Sequence, residues 1–194
     1  MARRRAIRLF AALVIGLVNV RSTMAEPAIT PYGQRSAEAP SQLDLFSFLV
    51  GKWKGSGRTR LPDGSFVPGG DVAWIGRYVL NGMAIADEIQ SLGPDGKTYL
   101  GITIRHFDAK RNSWIIEFLN VTNSFLRKQV NPQSGSVSLD AGSVVIICED
   151  GETKIRETYR VADQNHFTYS TDGSRDGGQS WDAWLVEMTM ERVE

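Results

Sequence analysis

Two acidic residues, Asp87 and Glu157, fall in segments whose alternation of residue types predicts β-strands. The residues two positions before and after each of them are apolar or aromatic, which predicts that both carboxylates lie on a buried strand face. An unpaired buried charge is strongly unfavourable or takes up a proton, so each carboxylate needs a partner, and Arg77 and Arg105 are candidates. Structural ion pairs, polar anchors for a ligand, and an acid–base pair of an isomerase or hydrolase remain alternatives.

The histidines and the cysteine add little further chemistry. His106 ends a predicted strand and shares the face of Leu100, so we expect it to line an interior cavity together with Asp87 and Glu157. His166 is expected to face solvent. Cys148 is the only cysteine, which excludes a disulfide within the chain, and it lies in an apolar run where a thiol is usually a buried hydrophobe. With so few ligating side chains we predict no metal site and no cofactor, and we assign no catalytic residue.

The segment Ser174–Trp181 matches the pattern Ser-x-Asp-x-Gly-x-Thr-Trp, known as the Asp box, with Ser180 in place of Thr. Sialidases and related propellers carry several copies of this motif, but here it occurs once in a chain too short for a propeller. We therefore interpret it as a structural hairpin, in which the Asp176 carboxylate accepts backbone N–H groups and Trp181 packs beneath the turn.

From Gly51 onward, turn signals separate short alternating or apolar runs. These signals are Pro62-Asp63-Gly64, Asn81-Gly82, Pro94-Asp95-Gly96, Asp150-Gly151 and Asp172-Gly173. Their spacing predicts an all-β fold of antiparallel strands, closed as a barrel or packed as a sandwich. Before them, residues 42–50 are expected to form one short helical turn that plugs or caps the domain.

Two predicted strands, residues 98–107 and 113–120, are apolar on both faces. Their outer face should therefore be covered, either by the segment 43–50 or by a second subunit. This observation is the basis for a homodimer as one predicted partner.

The N-terminus has the features of a secretory signal peptide. Arginines precede an apolar run over residues 9–18, and Thr23-Met24-Ala25 offers small residues for cleavage. The run is too short to span a bilayer, so we predict no stable membrane anchor and a periplasmic or secreted protein. Residues 26–41, rich in Pro, Ala and Ser, are predicted to be a flexible lead-in.

The apparent neutrality of the chain conceals an acidic domain. Of the 22 basic residues, five are arginines of the leader, which leaves 17 against 22 acidic residues, a net charge of −5. A domain with this charge and no basic run is a poor nucleic-acid binder, because neutralisation of phosphates supplies most of that affinity.

A Gly-x-Trp pair, Gly51 and Trp53, opens the first strand and resembles the opening of lipocalin-like (calycin-type) barrels. That resemblance implies that Trp53 closes one end of the barrel and that an arginine of the last strand, here Arg192, packs over its ring. The order of these residues with the Asn81-Gly82 and Pro94-Asp95-Gly96 turns and the Asp box resembles a family of secreted bacterial lipocalin-like (calycin-type) domains of unknown function. The resemblance implies a barrel of about 8–10 strands over residues 42–194. It implies no activity.

Haem-binding barrels of the nitrobindin type begin with a similar Leu-x-Gly-x-Trp stretch and hold iron through a histidine of the last strand. The last predicted strand here, residues 181–193, contains no histidine, so haem is not expected.

These observations predict an exported barrel that binds a small, partly apolar molecule in its interior. The predicted ligand-binding residues are Trp74, Asp87, His106, Trp114, Phe118, Glu157 and Tyr159. The predicted structural residues are Gly51, Trp53, Asp176, Trp181 and Arg192. A barrel enzyme that uses the interior carboxylates and a non-catalytic dimeric interaction module are the alternatives.

Overall fold

The structure is a computed structural model that describes residues 29–61, 63–93 and 96–193. The predicted signal peptide, residues 1–25, lies outside the described residues, so export stays a prediction. Within the described residues no helix is long and apolar enough to cross a membrane.

Eleven antiparallel strands form a single sheet in the order β6-β5-β4-β3-β2-β1-β11-β10-β9-β8-β7. The strands are β1 (Gly51–Arg60), β2 (Phe66–Val79), β3 (Ala84–Leu92), β4 (Thr98–Asp108), β5 (Ser113–Asn120), β6 (Phe125–Val130), β7 (Ser136–Asp140), β8 (Ser143–Asp150), β9 (Thr153–Asp163), β10 (His166–Ser174) and β11 (Asp182–Val193). The all-β antiparallel barrel is thus confirmed, with one strand more than the upper end of the expected number.

The sheet curls until β6 meets β8, where the barrel is nearly closed. Gly135 lies at this seam with a positive φ of 79°. A Cβ there would lie 2.6 Å from the Gln129 carbonyl oxygen and 2.9 Å from that of Ile147. Glycine therefore lets the two edges of the barrel approach each other.

Of the five predicted turns, two are found as predicted, and two, at residues 62–64 and 94–96, lie partly outside the described residues. Asn81-Gly82 connects β2 to β3, and Asp150-Gly151 connects β8 to β9. The prediction of a turn at Asp172-Gly173 was wrong: both residues lie inside β10, at a register shift against β11. Asp172 stays in the strand because its carboxylate accepts two hydrogen bonds from Arg156 of β9, at 2.9 and 2.7 Å.

A 3₁₀ helix, Ser41–Leu49, closes one end of the barrel and is called the plug helix below. Its residues Leu43, Phe46 and Leu49 are completely buried. The Phe46 ring meets Trp114 edge to face with the centroids 5.0 Å apart. The predicted helical plug is therefore present. Because it fills the interior, it does not cover the outer wall.

Arg192 ties the plug helix to the barrel. Its guanidinium lies 4.1 Å from the centroid of the Trp53 ring and donates to the carbonyls of Phe48 and Val50 at 3.2 and 2.7 Å. Trp53 in turn donates through Nε1 to the Leu49 carbonyl at 3.1 Å. The stacking of the last-strand arginine on the first-strand tryptophan, expected from the sequence, is found in the structure.

Gly51 leaves the space that this contact requires. Its φ is 128°, and a Cβ there would lie 2.1 Å from Nη1 of Arg192. Any larger residue would displace the guanidinium.

Residues 29–40, the described part of the predicted lead-in, have little regular structure but contact the β2–β3 turn. Ser36 N donates to the Gly82 carbonyl at 3.2 Å, and Gly33 forms a bridge with Tyr78. The flexibility of this segment stays a prediction.

The assignment of faces in β4 was reversed. Leu100 and Ile104 point outward and are each 40% exposed, while Gly101, Thr103 and Arg105 face the interior. The pairing of Thr103 with Asp87 in β3 fixes this orientation, because directly opposed residues share a face. Within the described residues no segment covers this apolar outer face, and a second subunit there stays a prediction.

The Asp-box segment locks the β10–β11 hairpin. The Asp176 carboxylate accepts from Ser174 Oγ at 2.7 Å and from the backbone N–H groups of Gln179 and Ser180, each at 2.9 Å. These donors hold the pKa of Asp176 well below its usual range, with Ser180 the largest contributor. Arg156 of the neighbouring strand lies 4.5 Å from the Trp181 ring centroid.

We predict that Arg192→Met lowers the free energy of unfolding by about 2–3 kcal/mol, because a stacked cation and its hydrogen bonds are lost together. Chemical denaturation followed by tryptophan fluorescence measures the change. Lys54→Met, at an exposed lysine of β1, is the control and should change stability by no more than about 0.5 kcal/mol. Equal effects in the two variants would contradict the role assigned to Arg192.

We predict that Asp176→Asn lowers Tm at neutral pH. The folded-state pKa is depressed, so the stability contributed by this carboxylate is present above the unfolded pKa and is lost as pH falls. The difference in Tm from the wild type should therefore narrow below about pH 4. Asp140→Asn, at an exposed residue of β7, should leave Tm unchanged. A difference that persists undiminished at pH 2 would contradict this explanation.

Candidate functional site

The barrel holds a cavity of about 320 Å³. It extends from Glu157 and Tyr159 in the middle of β9 to the ends of β1 and β3 remote from the plug helix, at Thr59 and Leu92. The interior is thus divided: one half is packed by the plug helix, and the other half is open. Strand alternation places the lining side chains, since every second residue of a strand faces inward.

A buried ion pair forms the boundary between these halves. Arg105 of β4 contacts the Asp87 carboxylate of β3 through Nη1, and both side chains are only 1% exposed. Trp74 Nε1 donates to Asp87 Oδ1 at 2.8 Å, and Arg105 Nη2 donates to the Tyr159 hydroxyl at 3.0 Å. On the plug side, the guanidinium lies 5.0 Å from the Phe46 ring centroid. Of the two candidate partners for Asp87, Arg105 is the one found, since Arg77 pairs with Glu88 at 2.6 Å outside.

A second acidic group, Glu157, lies on the cavity side of this pair. Its Oε1 accepts from Gln129 Nε2 and, at 3.4 Å, from Arg127 Nη2. Burial raises the pKa of Glu157, and the nearby Arg127 and Arg105, together with the hydroxyls of Tyr159 and Tyr169, oppose that shift in part.

Arg127 is held more loosely than Arg105. Its distances to the carboxylates of Glu157 and Asp150 are 3.4 and 3.8 Å, longer than the typical 2.7–2.9 Å of a charge-assisted hydrogen bond. Among the described residues that line the cavity, three buried polar atoms have no hydrogen-bond partner: Asp87 Oδ2, which is engaged by Arg105 in the ion pair, Arg127 Nε and Gln129 Oε1. The site therefore retains one donor and one acceptor that a ligand could satisfy.

Aromatic side chains form much of the cavity wall. The ring of Trp74 meets those of Tyr159 and Tyr169 at 6.2 and 5.5 Å between centroids. On the opposite strands, Tyr99 and Phe118 are stacked, with an angle of 13° between ring planes.

Glycine at position 101 makes room for the Phe118 ring. A Cβ there would lie 2.7 Å from its Cε2 atom. The stacked pair can therefore lie close to the β4 backbone.

The tyrosines and the cysteine stay protonated near neutral pH. Burial raises the pKa of Tyr99 to about 12 and raises those of Tyr159 and Tyr169 as well. Burial also raises the pKa of Cys148 to about 12, which disfavours the thiolate needed by a nucleophile. These phenols act as hydrogen-bond donors, and Cys148 is a core residue of β8.

The cavity lining includes most of the residues predicted from the sequence. Those that line it are Trp74, Asp87, Phe118, Glu157 and Tyr159. Trp114 belongs instead to the core beneath the plug helix, where it packs against Phe46 and Phe107. His106 lies on the outer side of β4 with Nδ1 3.3 Å from the Met83 carbonyl oxygen, because the face it shares with Leu100 points outward. We therefore exclude it from the site.

The sequence analysis missed the polar residues of β6. Arg127 and Gln129 line the cavity, but the segment has no clean alternation, and a bulge against β5 shifts the register there. The spacing of two positions between Arg127 and Gln129 was the only available signal that they share a strand face.

In the described residues no group of three or more His, Cys, Asp or Glu side chains is arranged to hold a metal ion.

No model of a known protein family matches the sequence, and no curated protein matches it. Solved structures do match. Rv2717c from M. tuberculosis superposes with a TM-score of 0.56 and 15% identity, over 81% of this chain and 100% of that chain. The S-type phycobiliprotein lyase CPES from Guillardia theta superposes with a TM-score of 0.52 and 11% identity, over 78% of this chain and 92% of that one. At these identities the likeness shows the fold alone: the chain is a lipocalin-like barrel.

Proposed function

We propose that this protein is exported and that its barrel binds a small, partly apolar molecule. The binding site is the cavity in the half of the interior remote from the plug helix. The observation that carries the proposal is an interior cavity with aromatic walls and a polar end built from buried, paired side chains. Ligand sites in proteins have this composition: apolar walls, with a few polar groups that orient the ligand.

The size of the cavity limits the ligand. A volume of about 320 Å³ lies at the lower end of the range typical of small-molecule sites. The wall residues Val72, Ile89 and Met188 add aliphatic surface to the aromatic rings. Burial of an apolar ligand against this wall supplies the affinity, at roughly 25 cal/mol per Å² of apolar surface removed from water.

Binding is favoured over catalysis by the way the carboxylates are held. Asp87 is engaged by Arg105 and Trp74, and Glu157 by Arg127 and Gln129. A general acid or base must exchange its proton with a bound substrate, and these contacts compete with such a substrate for the carboxylate oxygens. The paired acids therefore support the role of polar anchors.

The dye N-phenyl-1-naphthylamine, which is uncharged and brightens in apolar surroundings, tests the proposed site. We expect saturable binding to the wild-type protein. Ser91→Phe, on the inner face of β3, fills the cavity near its rim and should weaken binding about tenfold or more. Gln90→Phe, on the exposed outer face of the same strand, should change the affinity less than about twofold.

Two results would contradict the proposed site. One is the absence of saturable dye binding to a folded wild-type protein. The other is equal weakening by Ser91→Phe and Gln90→Phe, which would place the dye outside the cavity.

Export has its own test. Mass spectrometry of full-length protein expressed in a Gram-negative host should find the chain in the periplasmic fraction without residues 1–25. Native mass spectrometry of the same sample should show a co-purified small molecule that Ser91→Phe lacks. A chain that keeps its leader and stays in the cytoplasm would refute export, whatever the outcome of the dye titration.

A further inference from the structure

We infer that the ligand of this cavity is an uncharged aromatic molecule bearing a hydroxyl or N–H group, and that the two buried acid–arginine pairs exclude charged ligands. The inference rests on the proposed function and names the class of ligand.

The charged groups of the interior balance one another. Asp87 and Arg105 form one pair, and Glu157 and Arg127 form the other. All four side chains are buried or nearly so, with Arg127 the most accessible at 17%.

The charged groups nearest to these pairs do not alter the balance. At the rim of the cavity, Arg58 is paired with Glu187 at 2.5 Å. The remaining neighbour, Asp150, is 53% exposed, so solvent screens its charge.

This balance selects against a net charge on the ligand. A carboxylate or an ammonium group that enters the cavity loses its hydration and finds no unpaired counter-ion among the described residues that line it. An anion near Arg127 would also lie close to Glu157, and a cation near Glu157 would lie close to Arg127. An uncharged ligand incurs neither penalty.

The unsatisfied atoms of the polar end indicate which neutral group fits. Gln129 Nε2 donates to the Glu157 carboxylate, which leaves the amide oxygen of this 2% exposed residue as an acceptor without a donor. Arg127 Nε is a donor without an acceptor. A hydroxyl both donates and accepts, so it can satisfy the two atoms together, and an N–H group can satisfy the amide oxygen. A ligand without such a group leaves both unpaired.

The walls favour an aromatic ring as the rest of the ligand. The stacked rings of Tyr99 and Phe118 present flat surfaces on β4 and β5, and Trp74 lines the same cavity from β2. Aromatic rings gain from offset-stacked and edge-to-face contacts beyond the burial of their area.

Four probes with one shared ring system test the inference: naphthalene, 2-naphthol, naphthalene-2-sulfonate and 2-naphthylmethylammonium. Their affinities for the wild-type protein are measured by titration calorimetry at about pH 7.5, well above the ordinary carboxylate range, because burial raises the pKa of Glu157. We expect 2-naphthol to bind at least about tenfold more tightly than either charged probe and more tightly than naphthalene.

Two variants, each of which removes one of the two charges, make the charge argument specific. Glu157→Gln leaves Arg127 without its buried counter-charge, so sulfonate binding should rise relative to ammonium binding. Arg127→Gln removes the paired cation of Glu157, so the relative affinities should shift in the opposite direction.

A third variant tests the free acceptor. Gln129→Leu removes the amide oxygen and should abolish the preference for 2-naphthol over naphthalene. Circular dichroism and binding of the neutral dye establish that each variant is folded with an intact cavity.

The outcomes separate this inference from the proposed function. Tighter binding of either charged probe than of 2-naphthol by the wild type would overturn the inference, as would a shift in the same direction in both charge variants. If the neutral dye still binds in a manner sensitive to Ser91→Phe, the cavity remains a ligand site of another selectivity. If neither the dye nor any probe binds, both proposals fail.

Discussion

The buried contact between Asp87 and Arg105 organises the interior of the barrel. Each of these groups would be strongly unfavourable in the interior without the other. Their remaining polar atoms bring Trp74 and Tyr159 into fixed positions, and the guanidinium faces Phe46 of the plug helix. This ion pair thus forms the boundary at which the packed core ends and the cavity begins. The pair and its hydrogen bonds join four strands, β2, β3, β4 and β9, and the guanidinium contacts the plug helix.

The two halves of the barrel have different physical roles. At one end the plug helix, Trp53 and Arg192 fill the interior and satisfy the carbonyl groups at the end of the helix. At the other end none of the described segments enters, and the cavity wall is completed by aromatic rings and by β1, where inward positions such as Gly57 carry no side chain. The packing of the closed end allows the open end to remain hollow, because stability does not require that the whole interior be filled.

The two interior arginines show how similar residues can differ in function. Arg105 is enclosed by the Asp87 carboxylate, the Tyr159 phenol and the Phe46 ring. Both arginines have a buried Nε without a hydrogen-bond partner, but only Arg127 lines the cavity, and its contacts to carboxylates are long. The difference follows from position: Arg105 lies beneath the plug helix, whereas Arg127 lies next to the seam, where β6 is short and the sheet is incompletely hydrogen-bonded.

The sequence alone determined the fold class and the helical plug, because turn residues and strand alternation are local signals. The stacking of Arg192 on Trp53 followed from the resemblance to lipocalin-like barrels. The sequence also identified Asp87 and Glu157 as interior acids that need partners. Only the tertiary structure decided the face of β4 and hence the place of His106. Hydrophobicity suggested that Leu100 and Ile104 face inward, but the pairing of β3 with β4 puts Arg105 there. The residues that complete the site on β6, Arg127 and Gln129, are about thirty positions from Glu157 in sequence, and their proximity depends on closure of the barrel across its seam.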